Sequence, residues 1–258
     1  MRTLCATVRG MTGDERQVVP SVWTRPRRGR EQPALSREQI VAEAVRLLDA
    51  DGLEALSMRT LGKALGAGAT SLYRHVANKD ELIELVVDEV YGEIEVPEIG
   101  AGGWREAAVG CAQSVRSMIV RHPWIASALG NVGLSHLGPN VMRLNEGMLG
   151  IFEDAGFSLP EADRALGAMF SFVIGMGITE AAWLTMLARS GQTEREWGEV
   201  LRPAVEAATA PYPRLSRLFT ESTAHADLTE EREDSFEYGL ARVLDGLESR
   251  LAQGSGTR

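Results

Sequence analysis

The run Leu56-Ser57-Met58-Arg59-Thr60-Leu61-Gly62-Lys63-Ala64-Leu65-Gly66, continued by Ala69-Thr70-Ser71-Leu72-Tyr73-Arg74-His75-Val76 and Asn78-Lys79-Asp80-Glu81-Leu82, decides the fold. Ser57 can cap a short helix that carries Met58, Leu61, Ala64 and Leu65. Gly66 suits the left-handed position that closes a helix without a Cβ clash. A third short helix is predicted over Ala69–His75, and Asn78-Lys79-Asp80-Glu81 caps a fourth that runs into the mid-90s. Upstream, Ser36-Arg37-Glu38-Gln39 has the form of a capping box. It opens a helix with Ile40, Ala44, Val45, Leu47 and Leu48 at helical spacing, and Asp51-Gly52 ends it. Two short helices joined by a tight glycine turn, with a helix before them, describe a helix-turn-helix.

In such a motif the second helix lies in the major groove and its first side chains reach base edges. Leu72 and Val76 point inward by spacing. Thr70, Ser71, Tyr73, Arg74 and His75 are short or planar hydrogen-bonding groups on the other side. Arg74 can bond a guanine bidentately or hold a phosphate, and Thr or Ser can do either. Lys79 sits at a helix start, where free N–H groups and the dipole favour an anion. Arg59 is a further phosphate candidate. From the residues alone two readings stay open: a DNA reader, or a structural hairpin whose Tyr and His only pack.

Outward from this core, residues 1–22 show no periodicity and read as a loose tail, with Met11 an alternative start. Arg25, Arg27, Arg28 and Arg30 then form a short basic arm, either a solvated linker or an arm for phosphates or a minor groove. Downstream, Pro97 and Gly100–Gly103 mark a boundary. The expected domains are 1–30 (tail and arm), 31–95 (helix-turn-helix) and 96–258 (a larger helical domain). Helices are predicted over Trp104–Arg121, Pro123–Leu129, Pro139–Ala155, a long one opened by Ser158-Leu159-Pro160-Glu161 and reaching Ala188, Thr193–Ala210 ended by Pro211 and Pro213, and Thr229–Leu251. No alternating strand pattern of useful length is present, so the fold class is all-α.

Charge is divided unevenly. The chain of 258 residues carries net −9, yet Met1–Leu82 holds 13 basic and 10 acidic side chains. One end tolerates a polyanion and the rest repels it. Of 27 basic residues only Lys63 and Lys79 are Lys, which fits a GC-rich bacterial genome. The apolar run Ala165–Thr179 stops at Glu180, which argues against a membrane span. The N-terminus lacks an apolar signal core, and two cysteines, Cys5 and Cys111, fit a reducing cytoplasm. The four His residues, 75, 122, 136 and 225, lack zinc spacing, so no metal and no cofactor are expected. No phosphate loop follows a strand, and no catalytic constellation emerges, so an enzyme is not expected.

The motif residues quoted above, over about Ser36–Val87, resemble the DNA-binding domain of TetR-family transcriptional regulators. His122-Pro123-Trp124, Leu137-Gly138-Pro139-Asn140 and Phe236–Leu247 resemble, more loosely, the tetracycline-repressor type of C-terminal domain. The resemblance implies a dimer with a three-helix DNA-binding head and a ligand-binding, dimerising body. It implies DNA contacts at Arg59, Ala69, Thr70, Ser71, Tyr73, Arg74, His75 and Lys79, with Tyr73 and Lys79 on phosphates. The tetracycline repressor has Gln-Pro-Thr in place of Ala69-Thr70-Ser71, so its operator does not carry over. Its magnesium–tetracycline ligand set is not recognisable here. The implied partners are double-stranded operator DNA, a second copy of the chain and a small-molecule effector.

The long helix carries two unlike faces. Gly167, Ser171, Gly175 and Thr179 recur every four residues as a small-residue seam. The last helix offers the stripe Phe236, Leu240, Val243, Leu244, Leu247 and Leu251. Either these faces pack within the chain or, as the resemblance implies, they join two chains. The other face carries Phe172, Met176, Glu180, Trp183 and Leu187. Glu180 amid such neighbours is costly to bury unpaired. It reads either as the polar group of an effector pocket or as a salt-bridged rim residue. Trp124, Asn145 and Met148 are further wall candidates.

Overall fold

Three of the head helices start where a side chain holds the first free N–H groups. The computed structural model describes residues 35–132, 138–222 and 228–254; the arm arginines 25, 27, 28 and 30 lie outside them. Helix α1 (Arg37–Asp51) opens with the capping box: Gln39 N donates to Ser36 Oγ, and Ser36 N donates to Gln39 Oε1. Gly52, at φ +76°, ends it. A short 3-10 turn (Leu53–Ala55) leads to α2 (Met58–Ala64), capped by Ser57 with Thr60. Gly66 takes φ +63°, the left-handed region that suits a glycine.

Helix α3 is only Ala69–Leu72, shorter than the predicted Ala69–His75. Its continuation tightens: His75 N bonds the Leu72 carbonyl at 2.9 Å, a three-residue closure, while Asn78 goes extended to cap α4 (Lys79–Tyr91). Leu72 and Val76 are buried, with Leu61, Leu82 and Val86, in the core under the head.

The regular elements of the body are all helices among the described residues. They are α5 (Gly103–Arg121), α6 (Ile125–Val132), α7 (Pro139–Asp154), α8 (Leu159–Ser190), α9 (Glu194–Thr209), α10 (Pro213–Ser222) and α11 (Leu228–Gly254). The sequence pattern places a helix end at Pro213, whereas α10 begins there. Proline is equally at home at a first helical position, where no N–H is needed. The α8 helix is the spine of the body, packing against α5, α7 and α11. By length and composition alone it is apolar enough to cross a membrane, with mean hydropathy 1.5 over its best window. Here it serves as a core helix and leaves one face outward. Trp104 anchors α5 to an aromatic cluster with Phe152 and Phe157, ring centroids 6.0 and 6.1 Å away. Helix α4 joins head to body by packing on α1 on one side and α6 and α7 on the other. From Ser36 onward head and body form one compact unit. Asp88 strengthens the joint, because its Oδ1 accepts from both Asn140 N and Val141 N at the start of α7.

Candidate DNA-binding site and effector cavity

The reading turn is built by burying one side and wetting the other. Leu72 has no exposed surface, and this fixes the turn on the head. Thr70 and Arg74 are exposed, Tyr73 is 52% exposed, and Ser71 and His75 are half-buried. Arg59 and Lys79 are exposed beside them on α2 and α4. The placement of Ala69 at the start of α3 is described, but not its side chain. Tyr73 and Arg74 directly follow the four-residue helix and are exposed, so their polar groups remain available to a partner. The turn is also braced from outside. Arg37 Nη2 donates to the His75 carbonyl at 3.3 Å, tying the start of α1 to the end of the turn. The sequence gives no hint of this tie, because 38 residues separate the two.

The second feature is a cavity of about 430 Å³ between α5, α8 and α11. Met176, Glu180 and Trp183 line it, as expected of that face of α8. Phe236, Ser235, Arg232, Glu231 and Leu228 of α11 and Arg116 of α5 complete it, with Thr179. Glu180 is paired. Arg116 Nε and Nη2 donate to its two oxygens at 2.6 and 2.9 Å, and Arg116 Nη1 donates to Glu233 at 2.6 Å. The Arg116 guanidinium also lies 4.6 Å from the centre of the Phe236 ring. Burial opposes its charge, but the hydrogen bonds to Glu180 and Glu233 outweigh that and hold it above the usual guanidinium range.

A second polar cluster joins two of the lining residues, Trp183 and Arg232, to Glu194 of α9. Glu194 accepts from Trp183 Nε1 at 2.8 Å and from Arg232 Nη1 at 2.5 Å. Burial pushes its carboxyl up, yet the bonds from Trp183 and Arg232 prevail and hold it below the usual carboxylate range. Arg116 was overlooked in the sequence, although a signal exists: it interrupts the apolar stripe of α5 between Val115 and Met118. A charge on an apolar stripe demands a buried partner.

The structure brings only part of the expected pocket set together. Trp124 is 4% exposed, but its indole N–H donates to Asp49 of the head, away from the cavity. Met148 is fully buried in the core and Asn145 is half-buried on α7; neither lines the cavity. Phe172 packs behind the wall, 5.7 Å ring to ring from Phe236. The expected dimer set also divides. Phe236, Leu240 and Leu244, four residues apart, form one row that is already buried within the chain. Val243 and Leu247 belong to the neighbouring row and stay half-exposed. Gly167, Ser171 and Gly175 are exposed along the outward face of α8. Ser171 and Thr179 donate to the carbonyls of Gly167 and Gly175, so the seam keeps no unpaired hydroxyl donor. Among the described residues no three metal-ligating side chains converge.

Comparison with known proteins agrees with this architecture. Residues 40–86 match the family described as bacterial regulatory proteins, tetR family, and residues 96–251 match the tetracyclin repressor-like C-terminal domain. The chain belongs to the TetR family. It is a DNA-binding, ligand-responsive transcriptional repressor of that family and not an enzyme. It is 35% identical to the HTH-type transcriptional repressor DrrR1 of Streptomyces coeruleorubidus, over 95% of this chain and 90% of the relative. It is also similar to ActR of Streptomyces coelicolor in complex with actinorhodin: TM-score 0.69 and 29% identity over 84% of this chain and 97% of that one. BioQ with its double-stranded DNA operator matches at TM-score 0.53 and 26% identity, over 61% of this chain and 93% of that one.

Proposed function

We propose that this TetR-family chain acts in the cytoplasm as a homodimer on a pseudo-palindromic operator, releasing it when an effector fills the cavity between α5, α8 and α11. The observation that carries this is the division of the molecule. A polar, exposed reading turn stands on a packed head, and an aromatic-walled cavity lies far along the chain in an acidic body. Thr70, Ser71, Arg74 and His75 stand where bases would be read, and Arg59, Tyr73 and Lys79 where phosphates would be held. Two heads would enter successive major grooves, about 34 Å apart. The body's negative charge, doubled in a dimer, discourages binding anywhere but through the heads.

The dimer reading rests on what the single chain leaves open. The seam at Gly167, Ser171 and Gly175 lets another helix approach closely, with Val243 and Leu247 beside it. Helices α9 and α10 pack mainly on each other and leave Val200 62%, Leu215 51% and Leu218 58% exposed. Such an apolar arm fits a covered position better than water. The effector reading rests on the walls. Trp183, Met176 and Phe236 offer apolar and aromatic surface, while the Arg116–Glu180 pair offers polar atoms to a ligand that can compete for them. Actinorhodin, which the similar ActR carries, is the first compound to assay.

The test is fluorescence anisotropy on the DNA flanking the gene, against a shuffled duplex, at two salt concentrations. Tight, salt-sensitive binding to the flanking DNA is expected. The double substitution Tyr73→Ala and Arg74→Ala should weaken it at least a hundredfold and leave the melting temperature in place. Unchanged affinity in that variant refutes the assignment of the reading turn.

A further inference from the structure

An effector in the body changes DNA affinity only if cavity and head share an element with two arrangements. One corner of the molecule has the right connections. His122 closes α5 as its C-cap and is 4% exposed. Its Nδ1 lies 2.7 Å from Asp49 Oδ1, in the last turn of α1. Its Nε2 lies 3.1 Å from Glu93 Oε1, just beyond α4. Trp124 Nε1 donates to the same Asp49 oxygen at 2.7 Å, and Arg121 pairs with Glu93. The first and last helices of the head region are therefore held by one buried imidazole of the body.

The same helix reaches the cavity. Arg116, which pairs with Glu180 in the cavity wall, stands six residues before His122 on α5. That is about 9 Å along a helix axis. No glycine or proline interrupts residues 116–122, so the two ends move together. A displacement of about 1 Å carries a hydrogen bond of this length beyond its useful range. The acceptor, Asp49, is 35% exposed, so water can take its place when the contact opens. Asp49, His122 and Glu93 neither line the cavity nor belong to the reading turn.

We propose that Asp49, His122 and Glu93 form the clasp that transmits the state of the cavity to the head, with α5 as the rod between Arg116 and His122. This rests on the cavity-controlled reading above. A ligand that competes for Glu180 frees Arg116 and shifts α5. The shift withdraws His122 from Asp49 and Glu93 and releases the angle of the head against the body. These are positioning residues: opening the clasp by substitution weakens operator binding as occupancy does, and leaves the cavity with little further effect.

A double-mutant cycle on operator affinity tests this in the full chain, using as probe the duplex that the chain selects from a random-sequence pool. Glu180→Gln weakens the cavity pair and imitates occupancy, while Asp49→Ala opens the clasp. Glu180→Gln should raise the operator Kd at least fivefold in the wild-type background and less than twofold in the Asp49→Ala background. His122→Gln should uncouple in the same way. Glu93→Ala, which opens the other contact of His122, stands in if Asp49→Ala does not fold. Equal fold-changes in both backgrounds overturn the clasp, as does a Glu180→Gln variant with wild-type operator affinity. A chain that selects no duplex overturns the repressor reading and the clasp with it; a chain that selects one and shows additive substitutions overturns the clasp alone.

Discussion

Replacing Arg116 by Met strands a carboxylate. In the folded chain the Arg116 side chain is 9% exposed and that of Glu180 14%, and two parallel hydrogen bonds join them. Removing one member of a buried pair costs about 3–5 kcal/mol, because the other charge stays out of water. Two features of this site pull the figure toward the lower end. Arg232 Nε remains 3.7 Å from Glu180 Oε1, and Glu233, whose side chain is 54% exposed, returns to water when its partner leaves. Losing the guanidinium over Phe236 adds about 0.5–1 kcal/mol. The expected cost is about 4 kcal/mol, which for a domain of this size lowers the melting temperature by roughly 8–16 °C. The assay is a thermal melt followed by circular dichroism at one fixed protein concentration, since association shifts apparent stability. The double variant Arg116→Met, Glu180→Met removes both charges and should lie within about 1 kcal/mol of wild type. A cost below about 1 kcal/mol for the single variant, or a double variant that loses the sum of the two singles, refutes the paired-and-buried account of this wall.

Other substitutions probe other links of the argument. Gly66→Ala places a Cβ at φ +63° with no atom within 4 Å, so backbone strain alone is felt. It should cost about 1–2 kcal/mol in the same melt, while Gly68→Ala, which meets no neighbour and has no such φ, is neutral. Gly175→Trp adds bulk on an outward face where nothing lies within 4 Å of a Cβ. It should shift the chain from dimer to monomer in sedimentation velocity; an unchanged dimer removes the seam from the interface. Burial pushes the Cys111 thiol up to about 12, so it should resist iodoacetamide at pH 8 until the chain unfolds, as read by mass spectrometry. Alkylation of the native protein at Cys111 contradicts that burial.

The head was readable because its instructions are local. Ser36, Ser57 and Asn78 cap bonds that close within three residues, and Gly66 stands at the position where its positive φ is used. The body was readable as helices but not as a site. Glu180 stood out as a charge on an apolar face, while Arg116, its partner 64 residues away, did not. Trp124 looked like a pocket wall because it is aromatic and near the right helices. Its indole is instead spent on Asp49, 75 residues earlier in the chain.

Periodicity, caps and breakers determined by themselves that this chain is helical, where most helices begin and end, and which short turn presents hydrogen-bonding side chains outward. These are decided within a few residues, over distances that sequence order controls. Which row of α11 is buried, which wall residues meet around the cavity, and which imidazole ties head to body were decided only by the tertiary structure. A helix offers several rows of side chains a few ångströms apart. Only the neighbour that packs against it selects the row that leaves water.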